Sequence, residues 1–231
     1  MQIARKVCAV VPVKDARHAK ARLAGVLSGA QRTQLAHAML EDVLIALAAT
    51  AADLDSILVV TVDRRAADIA VRYGAEPTAE HADAGHTAAV RAAAQRLESC
   101  GVDLLTLPAD IPLVQPEDIG RLLAIHDEAA GRGGRLFGIV PARDGRGSNA
   151  IICSPAGTVP LQFGDSRKEA GVVRFEVLQQ VSRPNHFSVV EIWKDNKAYD
   201  AHITAEHTRN FRERLTPMSG ALYDERLYKA L

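Results

Sequence analysis

The chain has few aromatic residues and no excess of either charge, and each of these features excludes some classes of protein. Phe, Trp and Tyr make up 4% of the 231 residues, which argues against an aromatic surface for stacking single-stranded nucleic acid. Lys plus Arg balance Asp plus Glu at 28 each, so no overall field draws the protein to nucleic acid or anionic lipid. The sequence therefore predicts no nucleic-acid partner, and any anion site must be local.

Long apolar runs are also missing. The apolar run near the N-terminus is too short for a signal peptide, and the chain contains no stretch of the roughly 18 apolar residues that a spanning helix needs. The sequence therefore predicts a cytoplasmic protein with no membrane partner.

Cysteine and histidine spacings predict neither disulfides nor a metal site. Cys8, Cys100 and Cys153 are odd in number and show no CxxC spacing, so a zinc knuckle and a disulfide framework are both unsupported. Cys8 and Cys153 lie inside apolar runs and are expected to be core residues. His202 and His207 are five residues apart, which does not place them on one helical face, so both are expected at the surface.

Short apolar strands alternate with amphipathic helices through the first 140 residues. Val7–Val13, Ser56–Val62 and Asp103–Leu107 are typical of parallel strands that helices cover on both faces. Ser28 is predicted to cap the first helix. This alternation indicates an α/β fold, doubly wound, with a mainly parallel sheet.

The pattern weakens in the last third of the chain. Ser166–Gln180 is predicted as a helix, Phe187–Ile192 as a strand and Ala205–Leu215 as a helix. Since no linker composition appears, a single domain is expected over residues 1–215, followed by a C-terminal helix or tail over 216–231. The leucines of that last segment could pack on the domain or on a second copy, which leaves a homodimer open.

Charged side chains follow two of the predicted strands, at the edge where open α/β sheets bind ligands. Lys14, Lys20 and Arg22 form a basic loop after the first strand, and Asp110 follows the third. The loop could simply be solvated, and Asp110 could cap a turn. Three cations can also hold a polyphosphate, and a carboxylate can bind Mg2+ together with substrate phosphates. Their shared position favours the functional interpretation.

Two later segments carry weaker signals for an anion site. Gly145 and Gly147 would let backbone N–H groups approach an anion closely, although a plain hairpin turn explains them equally well. Ser166 could cap a helix or help to place an anion at its positive end.

Five stretches of the chain together resemble one known family. They lie between about Val10 and Ser166 and read VPVKDARHAKARLAGVLS, RTQLAHAMLEDVL, LPADIPLVQPEDI, GRGSNAII and FGDS. They resemble the MobA-like nucleotidyltransferases that guanylylate 2-phospho-L-lactate, phosphoenolpyruvate or 3-phospho-D-glycerate in the biosynthesis of the deazaflavin coenzyme F(420). The resemblance implies a Rossmann-like sheet, binding of GTP and Mg2+, and release of pyrophosphate as GMP joins the phospho-acid.

The resemblance also implies roles for individual residues. The catalytic group would comprise Lys14, Lys20 and Arg22, which match the triphosphate-binding loop, and Asp110, which matches the metal-binding aspartate. The nucleotide-binding residues would be Pro12, Lys14, Arg22, Thr87 and Pro108. The phospho-acid acceptor would meet Asn149, Gly164 and Ser166.

The late part of the chain departs from that family. Relatives carry a DxDTPxDL motif whose aspartates help to hold the metal, whereas this chain reads SVVEIWKDNK. Glu191 could substitute as a metal ligand, with Asp195 and Asp200 as poorer candidates, and Ala170 stands where relatives have a histidine. Two alternatives stay open: a nucleotidyltransferase with another acceptor, and a non-catalytic nucleotide-binding protein.

Overall fold

The chain divides into two compact units, Met1–Phe163 and Gly164–Leu231. The computed structural model describes residues 6–130, 134–143, 148–159, 161, 169–180, 182–216 and 226–228. The division falls earlier than the domain boundary at residue 215 that was expected from the sequence, because the strands after the division form a sheet of their own. Within the described ranges, no helix is both long and apolar enough to cross a bilayer.

The described residues of the first unit form a six-stranded sheet and four α-helices. Its strands are β1 (Val7–Val13), β2 (Ser56–Thr61), β3 (Glu76–Thr78), β4 (Asp103–Thr106), β5 (Leu136–Pro141) and β6 (Ser148–Ser154). Its helices are α1 (Gly29–Ala49), α2 (Arg64–Arg72), α3 (His86–Ser99) and α4 (Pro116–Ala130). The alternation predicted from the sequence is confirmed.

The strand order is β3-β2-β1-β4-β6-β5. β1 pairs in parallel with β2 and β4, and β2 with β3, whereas β6 runs antiparallel to both of its neighbours. The prediction of a doubly wound, mainly parallel sheet is therefore correct. The chain moves outward from β1 to β3 and then returns to the other side of β1, so the switch point of the sheet lies between β1 and β4. Ligands of such sheets bind beyond the carboxyl ends of the strands at this point.

The strands of the first unit bury side chains on both faces of the sheet. Along β1, Ala9 and Val11 pack into a core with helices α1, α2 and α4, whereas Cys8 and Val10 pack into a second core with α3. This alternation follows from the two-residue period of a strand. Cys8 and Cys153 are 2% and 0% exposed, which confirms that they are core residues.

Helix α1 begins at a capping box. The Ser28 hydroxyl accepts the backbone N–H of Gln31, and the Gln31 side chain accepts the backbone N–H of Ser28. The predicted cap is confirmed. Because such a cap satisfies two N–H groups that the first helical turn leaves open, it fixes where the basic loop ends and the helix starts.

Where the structure describes it, the second unit forms two antiparallel strands and two short helices. They are β7 (Val172–Gln180), β8 (Arg183–Trp193), α5 (Asn196–Thr204) and α6 (Glu206–Leu215). The predicted strand Phe187–Ile192 and helix Ala205–Leu215 are confirmed. The predicted helix over Ser166–Gln180 is wrong, because Val172–Gln180 is a strand. Its β-branched and aromatic residues favour a pleated surface, and pairing with β8 satisfies its backbone.

Candidate functional site

An ion pair joins the two loops that leave β1 and β4 at the switch point. Lys20 Nζ lies 2.7 Å from Asp110 Oδ2, and the two side chains are 22% and 55% exposed. Both residues were predicted at this edge from the strand ends alone, and the structure brings them into contact across 90 residues of sequence. The arrangement places a cation and a half-exposed carboxylate where a ligand of this fold would bind.

Lys20 has an unusual backbone conformation. Its φ of 52° and ψ of 37° lie in the left-handed helical region, which costs a side-chain-bearing residue about 1–2 kcal/mol. Such strain persists where surrounding contacts maintain it, and it concentrates at functional sites. The contact with Asp110 is one of the interactions that can maintain it.

Asp63 connects the basic loop to the start of α2, although it was not among the site residues predicted from sequence. Its Oδ2 accepts the backbone N–H of Ala16 at 2.9 Å, and its Oδ1 accepts that of Ala66 at 3.0 Å, which caps α2. Thr33 donates its hydroxyl to the carbonyl of Ala16 at 3.2 Å. The signal was present in the sequence: Asp63 follows an apolar strand closely, much as Asp110 does.

The ionisation of Asp63 reflects these contacts. Burial alone would raise the pKa of its carboxyl group. The hydrogen bonds from the backbone of Ala16 and Ala66 and from His37 Nε2 at 3.2 Å outweigh burial and hold the pKa below its ordinary value. The folded protein therefore keeps Asp63 as a carboxylate that binds the loop.

We expect Asp63→Asn to destabilise the protein in a pH-dependent way. The amide can still cap α2, but its NH2 group cannot accept the buried N–H of Ala16, which costs about 1–3 kcal/mol in the free energy of unfolding. Because the folded pKa lies below the unfolded one, the stabilisation by Asp63 is complete above the unfolded pKa. It is lost as the pH falls through the folded pKa. In urea unfolding, the free energies of unfolding of wild type and Asp63→Asn should differ at neutral pH and become similar in strong acid.

Asp55→Asn is the matched control for that experiment. Asp55 precedes β2 at its other end and forms a largely exposed pair with Lys6 at 3.4 Å, so its loss should change the free energy of unfolding by less than about 1 kcal/mol. If the difference in the free energy of unfolding between wild type and Asp63→Asn stays constant with pH, the ionised Asp63 carboxylate does not stabilise the loop.

A surface depression beside β1 collects further predicted residues. It is lined by Pro12, Val13, Lys14, Val60, Ala82, Gly85, His86 and Ala89. Gly85 precedes α3 with a φ of 94° and provides no side-chain cap, and Thr87 belongs to the first turn of that helix. A helix N-terminus next to a lysine is suited to an anion, because the backbone dipole and the ammonium both attract negative charge.

Two more predicted residues lie near the same edge. Pro108 follows the end of β4, and Asn149 is the second residue of β6. Because β6 runs antiparallel to β4, the start of β6 lies at the edge where β4 ends. Arg22 lies in a short 3-10 turn of the basic loop and is exposed.

Four glycine and serine positions of the predicted anion site cannot be compared with the structure. Gly145, Gly147, Gly164 and Ser166 lie outside the described residues. Their predicted roles stay predictions.

The candidates for a second metal ligand lie in the second unit. Glu191 is on β8, where its Oε2 accepts the indole N–H of Trp193 at 3.0 Å. Asp195 caps α5 by accepting the backbone N–H of Ala198 at 2.8 Å. The predicted role of Glu191 as a partner of Asp110 in magnesium binding stays a prediction.

The expectation that His202 and His207 lie at the surface is wrong for His202 and only partly right for His207. The side chain of His202 is 4% exposed and that of His207 is 25% exposed. Both rings contact Glu169. The two histidines do not share one continuous helix, because α5 ends at Thr204 and α6 begins at Glu206, which redirects the chain between them.

Comparison with known proteins gives the class and family of the chain. Residues 7–167 match the family model described as "Guanylyl transferase CofC like". A phosphoenolpyruvate guanylyltransferase of Conexibacter woesei is 39% identical over 160 residues, which cover 68% of this chain and 70% of the relative. A 2-phospho-L-lactate guanylyltransferase of Methanothermobacter thermautotrophicus is 32% identical over 163 residues, covering 69% and 67%.

The fold, the site at its switch point and these relatives define the protein as a nucleotidyltransferase. Within that class, the chain belongs to the guanylyl transferase CofC-like family, which confirms the resemblance seen in the sequence. A crystal structure of a presumed nucleotide-diphospho-sugar transferase from Desulfovibrio desulfuricans G20 shares the fold. Its TM-score is 0.50 at 19% identity, with 68% of this chain and 66% of that chain covered.

The second unit matches a different family model. Residues 162–214 match the model described as "Antibiotic biosynthesis monooxygenase". The two matched ranges meet close to the division between the compact units at residues 163 and 164. The stretch SVVEIWKDNK, which departs from the late aspartate motif of guanylyltransferases, therefore lies beyond the guanylyltransferase match.

Proposed function

We propose that the protein joins GMP from GTP to a three-carbon phospho-acid and releases pyrophosphate, as a step in deazaflavin coenzyme biosynthesis. Membership of the guanylyl transferase family supports GMP as the transferred group. Relatives named for phosphoenolpyruvate and 2-phospho-L-lactate support the acceptor class, to which 3-phosphoglycerate also belongs. The observation that carries the proposal is the contact between Lys20 and Asp110 at the switch point of the sheet.

The chemistry requires alignment and charge neutralisation. A phosphate oxygen of the acceptor attacks the α-phosphorus of GTP and forms a new P–O bond. The bond from that phosphorus to the bridging oxygen breaks, and its electron pair leaves with pyrophosphate. The acceptor is already an anion, so the reaction needs no general base. Lys14, Lys20 and Arg22 would hold the triphosphate and neutralise the charge that develops on the leaving group.

Asp110 suits a magnesium ion. Mg2+ is usually held by one or two carboxylates and by substrate phosphates, and Asp110 offers a half-exposed carboxylate beside a cationic loop. When bound, Mg2+ would neutralise phosphate charge and polarise the phosphorus under attack. Lys20, which contacts Asp110 directly, would then be available to the phosphates.

The remaining predicted residues would position the two substrates. Pro12, Thr87 and Pro108 would contact the nucleotide; for Pro12 this role is supported by the depression that it lines together with Lys14 and the start of α3. Asn149 would contact the acceptor, a role supported by its place at the start of β6, which runs antiparallel to β4. Gly164 and Ser166 are assigned to the acceptor by resemblance alone.

Pyrophosphate release with GTP and Mg2+ tests the proposal. Phosphoenolpyruvate, 2-phospho-L-lactate and 3-phosphoglycerate are offered in parallel, and any product is identified by mass. Turnover with one of them and a mass equal to the acceptor plus GMP is the expected result. ATP in place of GTP is the control, and we expect much slower turnover with ATP. GTP binding without pyrophosphate release for all three acceptors would contradict the proposal.

A further inference from the structure

The second unit contains a cluster of metal-ligating side chains. Glu169 precedes β7, His202 lies in the last turn of α5, and His207 lies in the first turn of α6. One ligand atom from each residue lies within 4.8 Å of the other two. The proposed guanylyl transfer uses none of these three side chains.

The cluster is held together by hydrogen bonds to one oxygen atom. Glu169 Oε1 lies 2.9 Å from His202 Nδ1 and 2.7 Å from His207 Nε2. Nitrogen and oxygen ligands bind zinc at about 2.0–2.2 Å, so two of them around a tetrahedral ion are about 3.4 Å apart. The two hydrogen-bonded contacts would therefore lengthen by roughly 0.5 and 0.7 Å to admit an ion.

The ring of His202 is held in place by its neighbours. Trp193 stacks on it with ring centroids 4.6 Å apart and an angle of 30° between the ring planes. Phe175 meets it edge-on at 6.2 Å, and the ring is almost fully buried. Ligands whose orientation is fixed before the ion arrives are the ones that bind metals tightly.

Each nitrogen of the His202 ring faces a carboxylate. Nδ1 faces Glu169, with Thr208 Oγ1 as a longer contact at 3.4 Å, and Nε2 lies 3.6 Å from Glu191 Oε2. A neutral imidazole can donate from only one nitrogen, so pairing with both carboxylates needs a second positive group on the ring, either a proton or a metal ion. A metal ion bound at Nδ1 meets this need, because Nε2–H is then directed toward Glu191. A carboxylate behind a ligating histidine is the usual support of such a ligand.

We propose that Glu169, His202 and His207 bind a divalent transition-metal ion such as Zn2+. Imidazole ligands favour zinc and its neighbours in the first row over magnesium. Three protein ligands leave a coordination position open, and the partly exposed His207, at 25%, gives it access to solvent. Glu191 acts as a positioning residue that orients His202. The three ligands take no part in the proposed guanylyl transfer, and Glu191, which the sequence suggests as a magnesium ligand, is assigned here to His202 instead.

Metal titration of the full-length protein tests this site. After treatment with a chelator and buffer exchange, the protein is titrated with Zn2+ by calorimetry and with Co2+ by visible absorption. We expect saturable binding of one ion per chain, d–d absorption bands of bound Co2+, and no competition by excess Mg2+. Absence of saturable binding, or displacement of Zn2+ by Mg2+, would overturn the proposal.

Three variants locate the ion. His202 is buried and its replacement endangers folding, so His207→Ala removes a ligand instead, and Zn2+ affinity should fall by about 100-fold or more. Glu191→Gln should weaken affinity by about 10- to 100-fold without changing the stoichiometry, and it should alter the Co2+ spectrum. The matched control is His81→Ala, because His81 is an exposed histidine 4.0 Å from a carboxylate of Glu80 and should leave affinity unchanged.

The variants also separate a metal site from a hydrogen-bonded cluster. Circular dichroism and thermal unfolding establish that each variant is folded before it is titrated. Wild-type affinity in folded His207→Ala, or equal losses in His207→Ala and His81→Ala, would show that Glu169 and the two histidines only form hydrogen bonds. Because metal content is the readout, this result does not depend on whether guanylyl transfer occurs.

Discussion

Asp110→Asn should lower guanylyl transfer by about 100-fold or more, while the free energy of unfolding stays within about 0.5 kcal/mol of wild type. The substitution keeps the shape of the side chain but removes the charge that would hold Mg2+ beside the triphosphate. The side chain is 55% exposed, so the effect of the substitution on the free energy of unfolding should be small. Steady-state pyrophosphate release over a range of Mg2+ concentrations measures the effect.

Asp127→Asn provides the comparison. Asp127 is an exposed aspartate on α4, and its replacement should leave both turnover and the Mg2+ dependence unchanged. Normal turnover in Asp110→Asn at ordinary Mg2+ concentrations would show that Asp110 is a turn residue. Partial recovery at high Mg2+ or with Mn2+ would agree with a weakened metal site.

Lys20→Met should also reduce transfer by about 100-fold or more. The ammonium would neutralise charge that grows as pyrophosphate leaves, so kcat and kcat/KM should fall together, as expected when an interaction is made chiefly in the transition state. Lys20 also contacts the Asp110 oxygen that we assign to the metal. Without that competing cation, the Mg2+ concentration for half-maximal activity should fall even as maximal turnover drops.

Lys6→Met is the control for the loss of one lysine. Lys6 precedes β1 at the opposite end of the strand and is 68% exposed, so its loss should leave kcat and the Mg2+ dependence unchanged. Lys20→Arg should retain part of the activity, because the charge stays while its geometry changes. A rise in KM alone for Lys20→Met would mean that the lysine only binds GTP and does not act on the transition state.

The core of the candidate site could be predicted because it depends on local patterns. Apolar runs mark the strands, parallel strands share one carboxyl edge, and charged residues directly after such runs must lie at that edge. Lys20 and Asp110 both follow such strands, so the sequence alone predicts that they share this edge. The same reasoning applied to Asp63 would have found the anchor of the basic loop, since that carboxylate follows β2.

The left-handed backbone of Lys20 and the second unit could not be predicted in the same way. A lysine gives no local signal for positive φ. Residues 172–180 carry both helix-forming and strand-forming side chains, and pairing with β8 decides between them. The division near residue 164 depends on which strands pair with one another, and such pairing joins residues that are distant in the sequence.

The histidine cluster escaped prediction for a related reason. His202 and His207 approach each other only because the chain turns at Ala205, where its backbone is extended. Glu169 joins them from more than 30 residues away. Spacing rules for metal ligands describe single helices and short loops, so they do not detect a site formed by three elements.

The order of strands in the first unit has a further consequence for association between copies of the chain. The two outer strands, β3 and β5, would be the places where a foreign strand could add to the sheet. β3 has three residues and contains Pro77, and β5 ends at Pro141 beside an irregularity in its pairing with β6. Proline has no N–H to donate to a neighbouring strand. A proline in each outer strand removes one backbone donor from that strand, which disfavours growth of the sheet by edge-to-edge aggregation.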